Sequence, residues 1–178
     1  MKVYLHADDL ASTEAVTQAI LDRWQRGYLD GFSVMANGEA IEMTRSTLAA
    51  HCGRPARVAA HLNLSEGPSV LPPEQVPLLV DRCGRLRHGF ASLAATWFAG
   101  SPALRCALLD QVESEWRAQV LRIREMVAPR PLSGIDGHVH VHMLPFLFPV
   151  AARLAHENGI AEIRISKEPF FLTEGMRD

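Results

Sequence analysis

Little in this sequence points to a membrane, an oxidising compartment or a charged polymer as partner. Cysteine is scarce: Cys52, Cys83 and Cys106 are the only three, odd in number and without motif spacing. That argues against a disulfide framework and fits a reducing cytoplasm. An excess of one charge is lacking too. The formal net charge is −2, so no basic surplus calls for nucleic acid or an anionic membrane. Apolar runs are short. No segment is long enough to span a bilayer, and Met1-Lys2-Val3-Tyr4-Leu5 is too brief an apolar run to predict a signal peptide. Repeats and low-complexity segments are also missing. What remains is 178 residues, 48% of them hydrophobic, which predicts one globular domain over 1–178 with a sizeable core.

Strand and helix patterns alternate along the chain. Residues 2–7 read as a buried strand, followed by a helix that Ser12 or Thr13 caps and Gly27 ends. Residues 31–36 and 57–64 predict further strands, with a short helix over 39–51 between them. From about 65 to 102 the periodicity is poor, and Pro72-Pro73, Gly84, Gly89 and Gly100 punctuate it. A connection that long is more often a functional lid than a spacer. Leu108, Val112, Trp116, Val120, Ile123 and Val127 mark one stripe of a long helix over 103–127. A histidine-rich strand, a helix over 145–157 and a last strand over 160–165 complete the pattern. Such alternation predicts parallel pairing with right-handed crossovers, in an open α/β sheet or part of a (β/α) barrel. In both, ligand sites collect where strands end and helices begin.

Chemistry concentrates in Gly134-Ile135-Asp136-Gly137-His138-Val139-His140-Val141-His142-Met143-Leu144-Pro145. In an extended backbone His138, His140 and His142 project to one face, while Val139 and Val141 enter the core. Crowded imidazoles disfavour one another's protonation and, as neutral rings, are ready ligands for a divalent metal. Asp8-Asp9 falls at the end of the first strand and His61 within the third, at the end of the sheet where sites form. Three protein ligands leave a position open for water, which suits hydrolysis, and a neighbouring carboxylate can take the water's proton. One member of the Asp pair would ligate and the other act as base.

Four ordered motifs carry a family resemblance: His6-Ala7-Asp8-Asp9-Leu10, Ser33-Val34-Met35-Ala36-Asn37-Gly38, His61-Leu62-Asn63-Leu64-Ser65-Glu66-Gly67 and Asp136-Gly137-His138-Val139-His140-Val141-His142-Met143-Leu144-Pro145. In these the chain resembles the YdjC-like carbohydrate deacetylases, which include chito-oligosaccharide deacetylase and a hopanoid-biosynthesis-associated branch. The resemblance implies a distorted or incomplete (β/α) barrel and metal-dependent removal of N-acetyl groups from amino sugars. It also implies Asp9, His61 and His138 as metal ligands and Asp8 as base. Zinc suits two imidazoles and a carboxylate best, while the resemblance leaves magnesium open. Asn37, Glu66, His140 and His142 are the expected substrate-side residues. His140 and His142 could instead orient His138 or simply pack. His51, His88 and His156 are expected at the surface, Trp97 and Phe98 in lid packing or on a sugar ring, and Glu168-Pro169 near the site.

Two departures qualify the resemblance. Leu10-Ala11 stands where the family has Phe-Gly, and alanine is a poor substitute if the glycine served a positive φ. Family members also continue beyond the length of this chain, into a segment whose histidine is thought to act as general acid. Five strands are readable, whereas a (β/α) barrel takes about eight. An open edge invites pairing with another chain, so a longer parent chain or a homodimer is expected, with weak deacetylation by these residues alone. The competing expectations are a metal- or sugar-binding remnant without turnover and another metal hydrolase such as a phosphoesterase.

Overall fold

Residues of each strand alternate between a helix-facing side and an inner side, and this period of two separates the core from the site. The computed structural model describes residues 3–166. The expectations for Glu168-Pro169 and for Lys167–Asp178 fall outside that range. Five strands form one all-parallel sheet in sequential order: β1 (His6–Leu10), β2 (Gly31–Val34), β3 (Arg57–Leu62), β4 (Leu132–Gly137) and β5 (Glu162–Ile163). The helices are α1 (Glu14–Gln25), α2 (Ile41–Ala50), α3 (Phe90–Ala99), α4 (Pro102–Val127) and α5 (Phe148–Glu157). Sequential parallel strands with right-handed crossovers place their connecting helices on one side, as in the wall of a (β/α) barrel. The fold is therefore α/β, as expected, and among the described residues the sheet is an arc that does not close.

Phe32, Val34, Val58, Ala60, Leu62 and Ile135 face the helices and share one buried core with Trp24, Leu48, Val112, Trp116 and Leu154. Each such aliphatic side chain stabilises the fold by roughly 1.5–3 kcal/mol. On the inner side the register pairs Ser33 with Ala59, Ala59 with Gly134, and His61 with Asp136. These residues are small or polar, so the inner face is free for chemistry. The α4 stripe predicted from periodicity is buried throughout. Ser101 caps this helix, its Oγ accepting from the Leu104 N–H, and Thr13 caps α1 in the same way through Val16.

Four sequence expectations need correction. Pairing of β1 begins at His6 and runs to Leu10, leaving Val3, Tyr4 and Leu5 exposed. The histidine run is not a strand: β4 ends at Gly137, and His138–Met143 forms short 3₁₀ turns joined across a kink. Val139 and His140 have φ of 44° and 58° there. The three histidines thus do not share a face. His138 is half-buried, His140 exposed and His142 fully buried, while Val139 is exposed and only Val141 enters the core. Gly137 permits this return, because a Cβ on it would lie 2.5 Å from His142 Nδ1. The region 65–102 also carries more structure than its pattern suggests, with α3 and isolated antiparallel bridges at Pro68–Arg85 and Val80–Leu86. Helix α3 has no charged residue, and Ser92 and Thr96 are its polar ones, so its polar face contrasts only weakly with its apolar one. Trp97 packs flat on Phe146 with ring centroids 4.3 Å apart, and Phe98 is exposed. His88 is buried rather than at the surface, its Nε2 donating to the Leu78 carbonyl at 2.7 Å.

The turn after β1 shows why glycine would suit position 11. Ala11 is fully buried with φ 79°, its N–H donating to Thr17 Oγ1 at 3.0 Å. A Cβ on the neighbouring Gly38 would sit 2.0 Å from the Ala11 carbonyl oxygen. Gly38→Ala should therefore cost about 1–3 kcal/mol in urea unfolding through forced backbone movement. Ala11→Gly, which relieves a left-handed alanine, should stay within about 1 kcal/mol of the parent. Equal and large losses for both would show that the turn is not held by this contact.

Candidate metal and catalytic centre

Adjacent residues of a regular strand point to opposite faces, so Asp8 and Asp9 could not both serve one site without a break in β1. The break is present. Register with β2 shifts between Ala7 and Leu10, and Asp9 adopts φ 62°. Such an irregularity re-aims a side chain. It brings Asp9 Oδ1 to 2.8 Å from His138 Nδ1 and 3.1 Å from His61 Nε2. One ligand atom from each of Asp9, His61 and His138 lies within 4.8 Å of the other two, a set able to hold a metal ion. The three residues expected from the sequence as ligands are thus brought together from β1, β3 and the turn after β4.

Each imidazole has its second nitrogen turned towards another carboxylate. His61 Nδ1 is 2.6 Å from Asp136 Oδ1, and both side chains are almost wholly buried. His138 Nε2 is 3.7 Å from Glu66 Oε1. A carboxylate behind a ligating histidine fixes its tautomer and ring orientation. The donor set and its backing therefore fit a divalent cation: two nitrogens, one oxygen and anchored rings. Without a cation, burial pushes the His61 pKa down, but its hydrogen bonds to Asp136 and Asp9 outweigh this and raise it to about 9. Asp9 is held well below the usual carboxylate range by hydrogen bonds from His138 and His61.

Asp8 occupies a different environment. Arg164 donates to it through Nη1 and Nη2, each at 2.7 Å, and Ser33 Oγ donates to Asp8 Oδ1 at 3.1 Å. Burial favours the neutral acid, yet the Arg164 hydrogen bonds and charge prevail and keep Asp8 ionised. His6, Asp8 and Asp136 form a second group with metal-ligand spacing. Its centre already contains a cation, because Arg164 Nη2 also lies 3.1 Å from Asp136 Oδ2.

The residues expected on the substrate side separate. Asn37 is buried and its amide is committed: Nδ2 donates to the Glu66 and Pro68 carbonyls, both at 2.8 Å, and Oδ1 accepts from Asn63. It holds the loop after β3 and presents no free donor. Glu66 is exposed beside His138, and His140 is exposed at the kink. His142 is enclosed beneath Gly137, its Nε2 donating to the Arg164 carbonyl at 2.9 Å, so it packs under the turn. Arg164 and Asp136 are the functional-site residues that pattern reading passed over as such. The signal available for Asp136 was its place two residues before His138. Arg164 carried none beyond its position near the last strand, since nothing in its neighbours announces a partner 156 residues away.

His61 links this geometry to pH. A folded pKa raised above 6.5 contributes stability that is complete below 6.5 and lost as pH rises through about 9. The metal-free chain should therefore unfold at progressively lower urea between pH 6.5 and 9, measured in chelator, and Asp136→Asn should flatten that dependence. A profile unchanged by Asp136→Asn would mean that the pair does not raise His61.

With the geometry described, comparison with known proteins is informative. Over 169 residues the chain is 30% identical to a carbohydrate deacetylase of Danio rerio, covering 95% of itself and 51% of that protein. It is 30% identical over 170 residues to a chitooligosaccharide deacetylase of Escherichia fergusonii, covering 94% of itself and 60% of that protein. The chain thus spans about half to three-fifths of the length of these relatives. A crystal structure of a proposed cellobiose-phosphate cleavage protein from Enterococcus faecalis V583 superposes with a TM-score of 0.73 at 25% identity. That match covers 93% of this chain and 59% of the other. The model of the family described as YdjC-like protein matches residues 2–177. By that match over nearly its whole length, the chain belongs to the YdjC-like protein family.

Proposed function

We propose that this chain carries the centre of a metal-dependent hydrolase that removes N-acetyl groups from amino sugars or chito-oligosaccharides. The observation that supports this most is the convergence of Asp9, His61 and His138 beside a separately held, ionised Asp8. Asp9 Oδ1, His61 Nε2 and His138 Nδ1 would hold the ion, and zinc suits that set best, with magnesium the alternative. A divalent ion bound there would polarise the acetyl carbonyl and make water more acidic.

The chain's own residues then divide the work. A carboxylate offers about four acceptor positions, and on Asp8 two are taken by Arg164 and one by Ser33. The position left is on Oδ2, and there the proton of the attacking water is received. Water adds to the acetyl carbon, the proton held by Asp8 passes on to the amide nitrogen as the C–N bond breaks, and the products are acetate and a free amine. Arg164 keeps Asp8 ionised and aimed, so the base is ready at neutral pH at the expense of some basicity. Asp136 keeps His61 Nε2 turned towards Asp9, where the ion would be held. Glu66 and His140 flank the opening where an N-acetylated sugar would enter. The names of the relatives in zebrafish and Escherichia fergusonii agree with this class of reaction.

Phosphoester cleavage is the weaker reading. Such hydrolases commonly use two metals about 3.5–4 Å apart, and here the Arg164 guanidinium occupies the second candidate cluster. A chain that binds metal or sugar without turnover is the other alternative. Acetate release from N-acetylglucosamine oligomers, measured with metal content, separates the three. Asp8→Asn should lower release about 10²–10⁴-fold while zinc content stays near the parent's, and Asp9→Asn should lose the zinc. The reverse pattern would exchange the two roles. Zinc binding without any acetate release would favour the binding-only alternative.

A further inference from the structure

The loop after β3 is held far more firmly than a surface connection requires. Gln119 of α4 clasps the Asn63 backbone from both sides, Oε1 accepting its N–H at 2.9 Å and Nε2 donating to its carbonyl at 2.8 Å. Gln119 Nε2 also donates to Glu115 Oε1 at 2.8 Å, and the Glu115 carboxylate accepts the N–H groups of Val70 and Leu71. Asn63, Glu115 and Gln119 are fully buried. From Asn63 the bonds continue: its Nδ2 donates to the Glu66 carbonyl at 2.7 Å and to Asn37 Oδ1 at 3.1 Å. The Glu66 carbonyl therefore accepts from two amides, those of Asn63 and Asn37. Gly67 follows with φ 74°, and a Cβ on it would lie 2.8 Å from Asn37 Nδ2.

This fixed backbone carries one charged side chain towards the centre. Glu66 Oε1 stands 3.7 Å from His138 Nε2, within ion-pair range though short of a direct hydrogen bond. His138 sits on the strained turn, next to Val139 at φ 44°, a conformation that persists only where surrounding contacts hold it. On the opposite ligand, Asp136 backs His61 in the same sense.

We propose that Glu66 is a positioning residue for His138, its carboxylate backing Nε2 so that Nδ1 faces Asp9, and that Glu115 and Gln119 of α4 hold it there through Asn63 and Asn37. This rests on the metal reading above. It moves Glu66 from the substrate side to the support of a ligand.

The test is the dissociation constant of zinc for the 178-residue chain, by competition with a chromophoric chelator. Glu66→Gln, a surface change that should not disturb folding, is expected to weaken zinc about tenfold, with Glu66→Asp in between. Gln119→Leu should also weaken zinc, and should add less in the Glu66→Gln background than alone, because both act through one contact. If Gln119→Leu lowers the folded fraction by circular dichroism, Asn37→Ser replaces it. Zinc affinity within twofold of the parent in Glu66→Gln would overturn the proposal, all the more if KM for chito-oligosaccharide rose. A parent chain that takes up no zinc would overturn the metal reading as well, so the two failures are distinguishable.

Discussion

A 2.6 Å contact between His61 and Asp136, neighbours on the two central strands and both almost wholly out of water, fixes the geometry of this protein. An unpaired charge at such a position would be costly. Here the imidazole and the carboxylate satisfy one another, and that pairing ties the ring to a single orientation. Nε2 then faces Asp9, and the Asp9 carboxylate in turn meets His138. Four residues from β1, β3, β4 and the following turn thus depend on one another in sequence. Arg164 supplies the balancing charge, touching both Asp8 and Asp136.

The sheet makes this possible by dividing its labour between faces. Towards the helices it is apolar, and Trp24, Phe32 and Trp116 are among the largest side chains it buries. Its inner face carries Ser33, Ala59, His61, Gly134 and Asp136, where a closed barrel would usually stack bulky branched residues. Small residues leave the charged ones room to meet. The same division reappears on α4, whose buried stripe includes Glu115 and Gln119 among its apolar residues. Both are fully satisfied by hydrogen bonds to the loop, so burial there serves to fix a backbone.

Strain collects around the centre. Among the described residues, the non-glycine residues with positive φ are Asp9, Ala11, Val139 and His140. Each such conformation costs of order 1–3 kcal/mol and persists only where its surroundings over-determine it. Asp9 must leave the strand to join Asp8 on one side. Val139 and His140 reverse the chain so that His138 faces Asp9 while His142 tucks beneath Gly137. Strain and chemistry coincide because regular backbone could not present these groups together.

Much was determined locally and so was legible in the sequence. Period-3.6 and period-2 patterns, with Ser12 or Thr13 as a cap, gave the alternating strands and helices, the parallel sheet and the full α4 stripe. The Asp-Asp pair, His61 and His138 could be singled out because they fall at strand ends, where this architecture gathers its sites. The residues flanking His138 could not be read in the same way. Their alternation with valine imitates a strand, and only contacts from β1, β3 and the packed His142 ring make a kinked turn the better solution. Helix α3 escaped because a helix without charged residues, with only Ser92 and Thr96 as polar ones, has little periodic contrast. Asp136 and Arg164 gained their roles from partners 75 and 156 positions distant. The sequence by itself determined which side chains could do chemistry and which strand ends would carry them. Tertiary structure decided which of them meet, because hydrogen bonds and charge pairing act over a few ångströms in space and leave no mark on spacing along the chain.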